Sequence, residues 1–221
     1  MEMPNSQLLR WMEAQRSKIP SDYIRNGNLS RKQFNYLENV ASDIVQAPIL
    51  ADDTPRQNIA TIRSKCIKWK QQYGLQAVFI DYMQLMDIVS RNKNYNRERE
   101  VAEISRNLKI LQKELNVPVI VLTQLNRASA KTGTQPSLEN LRESGALEQD
   151  ADFVMFIHRP ERYNIEFYED NEPTQGTAQL IIAKNRDGGL KNIRIRVKES
   201  TLTYTDFDND SVKNQYSEFL E

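Results

Sequence analysis

The sequence is poor in the residue types that mark several classes of protein. It contains one cysteine, Cys66, and one histidine, His158, so no internal disulfide forms, and His158 has no second His or Cys with which to build a catalytic or metal site. We expect structural roles for both residues. The sequence has no charged leader followed by an apolar segment and no apolar run of about eighteen residues. It therefore predicts a reducing, cytoplasmic setting and no membrane partner.

The chain also lacks an excess of charge of either sign. Lys and Arg together number 30, as do Asp and Glu, whereas nucleic-acid-binding domains are commonly basic. Any contact with DNA must therefore be local. With 39% hydrophobic residues and only 7 Gly and 8 Pro among 221 residues, the composition is typical of a folded globular protein. We expect one core over residues 1–205 and a polar, acidic tail over 206–221.

Apolar residues at spacings of three and four predict most of the helices. The predicted helices cover residues 4–18, the segment that Ser30 begins and Pro48 ends, residues 55–73, residues 97–115 and a short stretch over 137–149. The apolar run over 77–81 predicts a strand buried on both faces of a parallel sheet. With a second apolar run over 117–122 it flanks a helix in a right-handed parallel crossover, and a third apolar run covers 153–157. Short runs over 177–183, 193–197 and 201–205 predict an antiparallel extension.

Asp81 ends the first predicted strand. Ligands of open α/β sheets bind at the carboxyl ends of the strands, and Mg²⁺ needs only one or two protein carboxylates. Asp81 is therefore a candidate magnesium-organising acid, although a structural or capping role is compatible with the same pattern. Gln124 follows the neighbouring strand, where its amide is suited to sensing a phosphate or to bonding the backbone of a loop.

Two further segments carry charge near glycine. Residues 141–152 place Arg142 and Glu143 beside Gly145, an arrangement suited to holding a nucleic-acid phosphate or to a solvated helix start. Lys184 and Arg186 are two residues apart before Gly188 and point to the same side if the backbone is extended. They are suited to stabilising phosphoryl charge from a neighbouring subunit, or form an ordinary basic turn.

In order and spacing these segments resemble one family. Residues 78–86 resemble the Walker B segment of DnaB-family replicative DNA helicases, residues 103–109 the helix that follows, and residues 118–127 the sensor strand. Residues 141–152 and 184–188 complete the series. The resemblance implies a RecA-like three-layer α/β fold with a mostly parallel sheet, and a homo-hexameric ATPase that uses ATP and Mg²⁺, encircles single-stranded DNA and meets primase and a helicase loader.

The resemblance also implies roles for individual residues. Asp81 corresponds to the magnesium-site acid, and Gln124 to the residue that couples nucleotide to the DNA loops. Lys184 and Arg186 correspond to fingers that reach a neighbour's nucleotide. Arg142, Glu143 and Gly145 correspond to the loop that lines the channel. Glu2 corresponds to the catalytic glutamate that polarises the attacking water.

One motif of the family is absent from these 221 residues. No G-x-x-x-x-G-K-[ST] occurs, so the backbone cradle and the lysine for phosphates are lacking. We therefore expect a core without its first strand and phosphate-loop helix, with exposed apolar surface, marginal solubility or self-association, and little ATP hydrolysis by these residues alone. The alternative function is a non-hydrolysing accessory module that binds DNA or joins a helicase ring. Another RecA-like ATPase is a third possibility.

Overall fold

A computed structural model describes residues 3–55, 57–86, 97–125 and 133–207. The chain divides into two compact units. The first unit holds the described residues within 54–156 and 181–191, and the second holds those within 2–53, 157–180 and 192–221. Glu2 lies outside the described residues, as does most of the predicted tail. The predicted boundaries of the core and the tail stay predictions.

The first unit contains the predicted strand, helix and strand. Helix α4 (Ile59–Tyr73) precedes strand β1 (Val78–Ile80), and helix α5 (Arg97–Leu115) lies between β1 and strand β2 (Val119–Val121). The side chain of Asn58 caps α4 by accepting a hydrogen bond from the Thr61 N–H at 2.9 Å, which satisfies one of the free donors of the first turn. Strands β1 and β2 are parallel, with Val78 opposite Val119. The predicted parallel crossover is therefore confirmed, while its right-handed sense stays a prediction.

A hydrophobic cluster joins α4 and α5 to one face of these strands. Along α5 the buried residues recur at steps of three and four, and Ile104 and Leu111 are each only 1% exposed. The predicted core position of Cys66 is confirmed, and burial raises the pKa of its thiol. The buried members are Cys66, Val78, Met83, Met86, Val101, Ile104, Leu108, Leu111, Leu115 and Val117.

The opposite face of the same strands is exposed. Phe79 on β1 is 68% exposed, and Ile120 on β2 and Leu122 just beyond it are 38% and 49% exposed. Successive strand residues point to opposite faces, which explains why these residues alternate with the buried Val78 and the half-buried Ile80, Val119 and Val121. Both faces of a parallel sheet are usually covered. The expectation that the first strand is buried on both faces is therefore wrong for the part of the chain that the structure describes, and the predicted exposure of apolar surface is found at this face.

The segment after residue 133 differs in detail from the prediction. Residues 137–149 were expected to form one helix, and this was wrong: a 3₁₀ segment, Leu138–Ser144, is followed by a short helix α6 (Gly145–Asp150). Strand β3 (Phe153–His158) comes next and belongs to a sheet of order β3, β4, β5, β6. Leu141, Phe156 and Ile181 form a small buried cluster in the first unit.

The second unit begins with three helices: α1 (Asn5–Ser17), α2 (Ser21–Asn26) and α3 (Arg31–Gln46). The first and third were predicted. Ser30 is the N-cap of α3 as expected, and it forms a capping box with Gln33, because the Ser30 hydroxyl accepts from the Gln33 N–H and the Gln33 side chain accepts from the Ser30 N–H. Such reciprocal bonds fix the start of a helix.

The predicted antiparallel strands are confirmed, and in the described part of the chain they form a sheet with β3 that is separate from the parallel pair. Strands β4 (Thr177–Asn185), β5 (Lys191–Lys198) and β6 (Thr203–Asp206) follow one another, and β5 pairs with β6 in antiparallel fashion. Strands β3 and β4 each contribute residues to both units. His158 is buried, stacks on Tyr163 with ring centroids 5.7 Å apart, and has its pKa lowered by burial. These contacts give it the structural role expected from the sequence.

Candidate functional site

Asp81 and Gln124 both follow strands whose carboxyl ends lie at the same edge of the parallel pair. The Leu122 N–H donates to the carbonyl of Ile80 at 2.9 Å, and the Met83 N–H donates to the carbonyl of Leu122 at 3.0 Å. The two chain segments therefore stay hydrogen-bonded beyond the strands themselves. Both Asp81 and Gln124 are exposed. The edge thus presents one carboxylate and one carboxamide to solvent.

Gln84 connects the two segments at this edge and was not assigned a role from the sequence. Its side-chain amide donates to the Thr123 hydroxyl at 2.9 Å and to the Gln124 carbonyl at 3.3 Å. The hydrogen bond to the Gln124 carbonyl holds the backbone of Gln124 in place, and so restricts the positions that its side chain can reach. The available signal was the position of Gln84 three residues after Asp81, but spacing alone does not reveal a partner on another strand.

Lys184 and Arg186 lie together at the end of β4, against the carboxyl end of α6. The Lys184 ammonium donates to the carbonyls of Glu148 and Gln149, and the Arg186 guanidinium donates to the carbonyl of Gln149 at 2.8 Å. The last carbonyls of a helix have no partner within the helix and carry the negative end of its dipole. The two cations therefore satisfy these carbonyls and neutralise their partial charge.

Asp152 completes this cluster and was not singled out from the sequence. Its carboxylate pairs with Lys109 of α5 and, at 3.1 Å, with Arg186, while its carbonyl accepts from the Arg186 N–H at 3.0 Å. The hydrogen bond from Lys109 is the main cause that holds the pKa of Asp152 below its usual value, and the charges of Lys109, Arg186 and Lys184 act in the same direction. Asp152 thus links α5 to the end of β4.

The segment that carries Arg142, Glu143 and Gly145 is continuous with this cluster. Arg142 and Glu143 lie in the 3₁₀ segment, and Gly145 is the first residue of α6. A Cβ added at Gly145 would meet no heavy atom within 4 Å, so packing within the described part of the chain does not require glycine there. At the other end of α6, the Ser105 hydroxyl of α5 donates to Asp150 at 2.7 Å.

Four of the predicted site residues thus form two local groups in the first unit. Asp81 and Gln124 share one strand edge, whereas Lys184 and Arg186 share the end of α6. Within the residues that the structure describes, no hydrogen bond or ion pair joins one group to the other. The same described residues contain no cluster of three or more His, Cys, Asp or Glu side chains able to hold a metal.

None of the described helices combines the length and the apolar character needed to cross a lipid bilayer. The arrangement is instead that of exposed polar groups carried by strand ends and by a short helix. One carboxylate on a rigid strand is sufficient to organise a water-bound Mg²⁺. A pair of cations whose backbone is held in place is suited to binding phosphate charge.

Comparison with known proteins gives consistent matches over nearly the whole chain. The family model described as "DnaB-like helicase C terminal domain" matches residues 1–208. A replicative DNA helicase DnaB of Leifsonia xyli is 39% identical over 196 residues, which cover 88% of this chain and 41% of the relative. A replicative DNA helicase DnaC of Bacillus subtilis is 37% identical over 201 residues, which cover 90% of this chain and 43% of the relative.

Solved structures give the same result. One of them, described as an ATPase domain, superposes with a TM-score of 0.83 at 28% identity, over 94% of this chain and 72% of that chain. A DnaB-like replicative helicase, described with its interactions with primase, also gives a TM-score of 0.83 at 28% identity, over 94% of this chain and 49% of that protein. The predicted RecA-like α/β fold class is therefore confirmed. The chain spans about two fifths of the length of the curated relatives.

Proposed function

Because the chain belongs to the DnaB-like helicase C-terminal domain family, we propose that it forms part of the ATP-dependent motor of a replicative DNA helicase, which moves along single-stranded DNA and unwinds duplex at a replication fork. The observation that carries this proposal is the match over residues 1–208 together with Asp81 and Gln124 at one parallel-strand edge. The relatives are replicative helicases, which favours a motor over the alternative of a non-hydrolysing accessory module.

ATP and Mg²⁺ are the proposed cofactors. Asp81 would hold the metal through water, and Gln124 would report the state of the nucleotide to the DNA-binding segments. The exposure of both side chains at the strand edge fits such roles. Glu2 is proposed as the catalytic glutamate on its sequence match alone, since it lies outside the described residues. Bound nucleotide with Mg²⁺ would supply the reactive phosphoryl group, while these residues orient water and metal.

Lys184 and Arg186 are proposed to reach the nucleotide of a neighbouring subunit in a homo-hexamer. Their support is the pairing of two cations at the end of β4, held by α6 and Asp152. In a free chain the α6 carbonyls satisfy these cations. A phosphate group of a neighbour would compete for the same donors, and an anion binds a guanidinium more strongly than a neutral carbonyl does.

Single-stranded DNA is the proposed substrate, bound by the segment of Arg142, Glu143 and Gly145. Because the whole chain has no net charge, binding must come from such a local segment and from the ring that repeats it. Primase and a helicase loader are proposed partners, the first supported by the relative whose structure was described with primase. The cytoplasm is the proposed location.

Residues 1–221 alone are proposed to hydrolyse little ATP, because they contain no G-x-x-x-x-G-K-[ST]. The test is therefore a chimera in which residues 1–208 replace the matching part of the Bacillus subtilis helicase, assayed for DNA-stimulated ATP hydrolysis and for unwinding beside the purified chain. The chimera should hydrolyse ATP and unwind DNA, and the purified chain should do neither. Asp81→Asn should reduce the ATP turnover of the chimera at least about a hundredfold, as the loss of a metal-binding or electrostatic group does.

The matched control is Asp43→Asn, which removes an exposed carboxylate from α3 and should leave turnover unchanged. A folded hexameric chimera without activity would contradict the proposed function. Hydrolysis by the purified chain that Asp81→Asn abolishes would contradict only the claim that these residues are inactive alone.

A further inference from the structure

The second unit contains an open groove that takes no part in the proposed nucleotide and DNA sites. It has a volume of about 520 Å³. The Gln15 side chain of α1 donates to the carbonyl of Leu202 at 2.9 Å and so ties the helix to the segment before β6. The groove is lined by four residues with large apolar side chains, Met12, Ile44, Leu202 and Tyr204, and by the polar Gln15, Arg16, Lys18 and Thr203.

The polar side of this groove is positive. Arg16 and Lys18 lie at the carboxyl end of α1, and none of the described residues that line the groove carries a carboxylate. Burial lowers the pKa of Lys18, and the like charges of Lys198 and Arg16 lower it further. Within the described part of the chain neither Arg16 nor Lys18 forms an ion pair. The α1 dipole offsets part of this charge, but three like charges side by side still favour an anion.

The backbone at Lys18 is also unusual for a lysine. Lys18 adopts φ 61°, in the left-handed region, while its N–H donates to the carbonyl of Ala14 at 3.0 Å. Glycine is the usual residue at such a helix end because a side chain costs about 1 kcal/mol in this conformation. The groove thus keeps a cation at a position where the backbone alone would favour glycine.

The sequence after Phe207 has the complementary chemistry. Its carboxylates are Asp208, Asp210, Glu218 and Glu221, its only cation is Lys213, and its large apolar side chains are Tyr216, Phe219 and Leu220. Two of the carboxylates, Asp208 and Asp210, come first, and the other two, Glu218 and Glu221, flank the apolar pair Phe219 and Leu220. The segment therefore offers both acidic and apolar groups to a groove with an apolar floor and a positive rim. The match includes both the charge and the apolar character of the groove.

The connection of the chain places this segment close to the groove. Tyr204 lines the groove, and residue 208 follows only four positions later. Residues 208–221, if extended, reach at most about 50 Å, which is long for a groove of about 520 Å³. A short tether also provides an effective concentration of about a millimolar, so even a weak contact is occupied. We propose that residues 208–221 bind in this groove of their own chain, with their carboxylates at Arg16, Lys18 and Lys198.

Tryptic cleavage after Lys213 in the intact chain tests this proposal. Lys213 lies within the bound segment and should be protected. Lys18→Glu and Arg16→Glu should each raise the cleavage rate about fivefold, as expected when one favourable ion pair becomes a repulsion. The matched control is Arg10→Glu, an exposed position of α1 outside the groove, which should leave the rate unchanged. Cleavage followed by mass spectrometry measures the rate at Lys213 alone.

Competition identifies the occupant. A synthetic peptide of residues 208–221 with Lys213→Gln, added in excess, should displace the segment and raise cleavage, whereas the same peptide with its four carboxylates changed to amides should not. Equal cleavage rates in the wild type and both charge-reversal variants would overturn the proposal. So would protection that depends on protein concentration, which would assign the groove to a second copy. An unprotected Lys213 with oligothymidylate binding that Lys18→Glu abolishes would assign it to nucleic acid instead.

Discussion

The ion pair between Lys109 and Asp152 should stabilise the first unit measurably, although Asp152 is half exposed. The Lys109 side chain is 24% exposed and that of Asp152 is 50% exposed. In a protein environment with a dielectric constant of about 20, two charges at 4 Å interact by about 4 kcal/mol, but measured values for solvent-screened pairs are about 0.2–1 kcal/mol. Because one partner is three-quarters buried and the two side chains are hydrogen-bonded, we expect a coupling of about 1 kcal/mol.

A double-mutant cycle measures this coupling. The free energy of unfolding in urea is compared among the wild type, Lys109→Met, Asp152→Asn and the double variant, so that effects on other contacts cancel. The matched control is the cycle of Asp22 and Arg25, whose side chains are 71% and 65% exposed in an i, i+3 pair and should give at most about 0.5 kcal/mol. A Lys109–Asp152 coupling no larger than that of the control would refute the reasoning.

The pairing of Asp152 with Lys109 also predicts that the free energy of unfolding depends on pH. The folded-state pKa of Asp152 is lowered, chiefly by the hydrogen bond from Lys109. A lowered carboxyl pKa contributes stability that is fully present above the unfolded pKa of about 3.9 and is lost as the pH falls through the folded pKa. The difference in unfolding free energy between the wild type and Asp152→Asn should therefore be constant near neutral pH and shrink below about pH 4.

Two further predictions concern the core and the exposed face of the first unit. Leu111→Ala should lower the free energy of unfolding by about 2–5 kcal/mol in a urea titration, because Leu111 on α5 is 1% exposed. The control is Ile110→Ala at the neighbouring position, which is 55% exposed and should cost less than about 0.5 kcal/mol. Equal effects of the two substitutions would contradict the assignment of Leu111 to the buried face of α5. Phe79→Lys should reduce self-association measured by sedimentation velocity, because Phe79 is 68% exposed on the uncovered face of the parallel strand pair. The control, Phe34→Lys on α3, should leave self-association unchanged. Unchanged self-association in Phe79→Lys would exclude this face as the cause of self-association.

The spacing of apolar residues along the sequence was sufficient to predict the long helices and the strands of the parallel pair. The buried positions of α5 repeat at three and four, and the apolar runs of β1 and β2 carry β-branched residues, so their type followed from the sequence. Helix α2 was missed because its six residues, between Pro20 and Gly27, are too few to show a period. The 3₁₀ segment before α6 was missed because its composition is equally compatible with an α-helix.

The sequence indicated which residues belong to the candidate site, but it did not indicate which residues they contact. Asp81 and Gln124 followed from strand ends, which the sequence marks, and the pairing of Lys184 with Arg186 followed from the period of an extended strand. Their partners are set by tertiary packing. Asp152 meets Lys109, which lies 43 residues earlier, and the acceptors of Lys184 are backbone carbonyls, which every residue has and no sequence pattern distinguishes.

These backbone acceptors connect the two segments that the proposed function assigns to DNA and to a neighbour's nucleotide. Helix α6 begins at Gly145, next to Arg142 and Glu143, and its last carbonyls accept from Lys184 and Arg186. A displacement of α6 by a ligand at its first turn would therefore break or reform the bonds that position the two cations. Under the proposed function the coupling would be reciprocal: a phosphate that draws Lys184 and Arg186 away from α6 would remove the hydrogen bonds that hold the carboxyl end of α6.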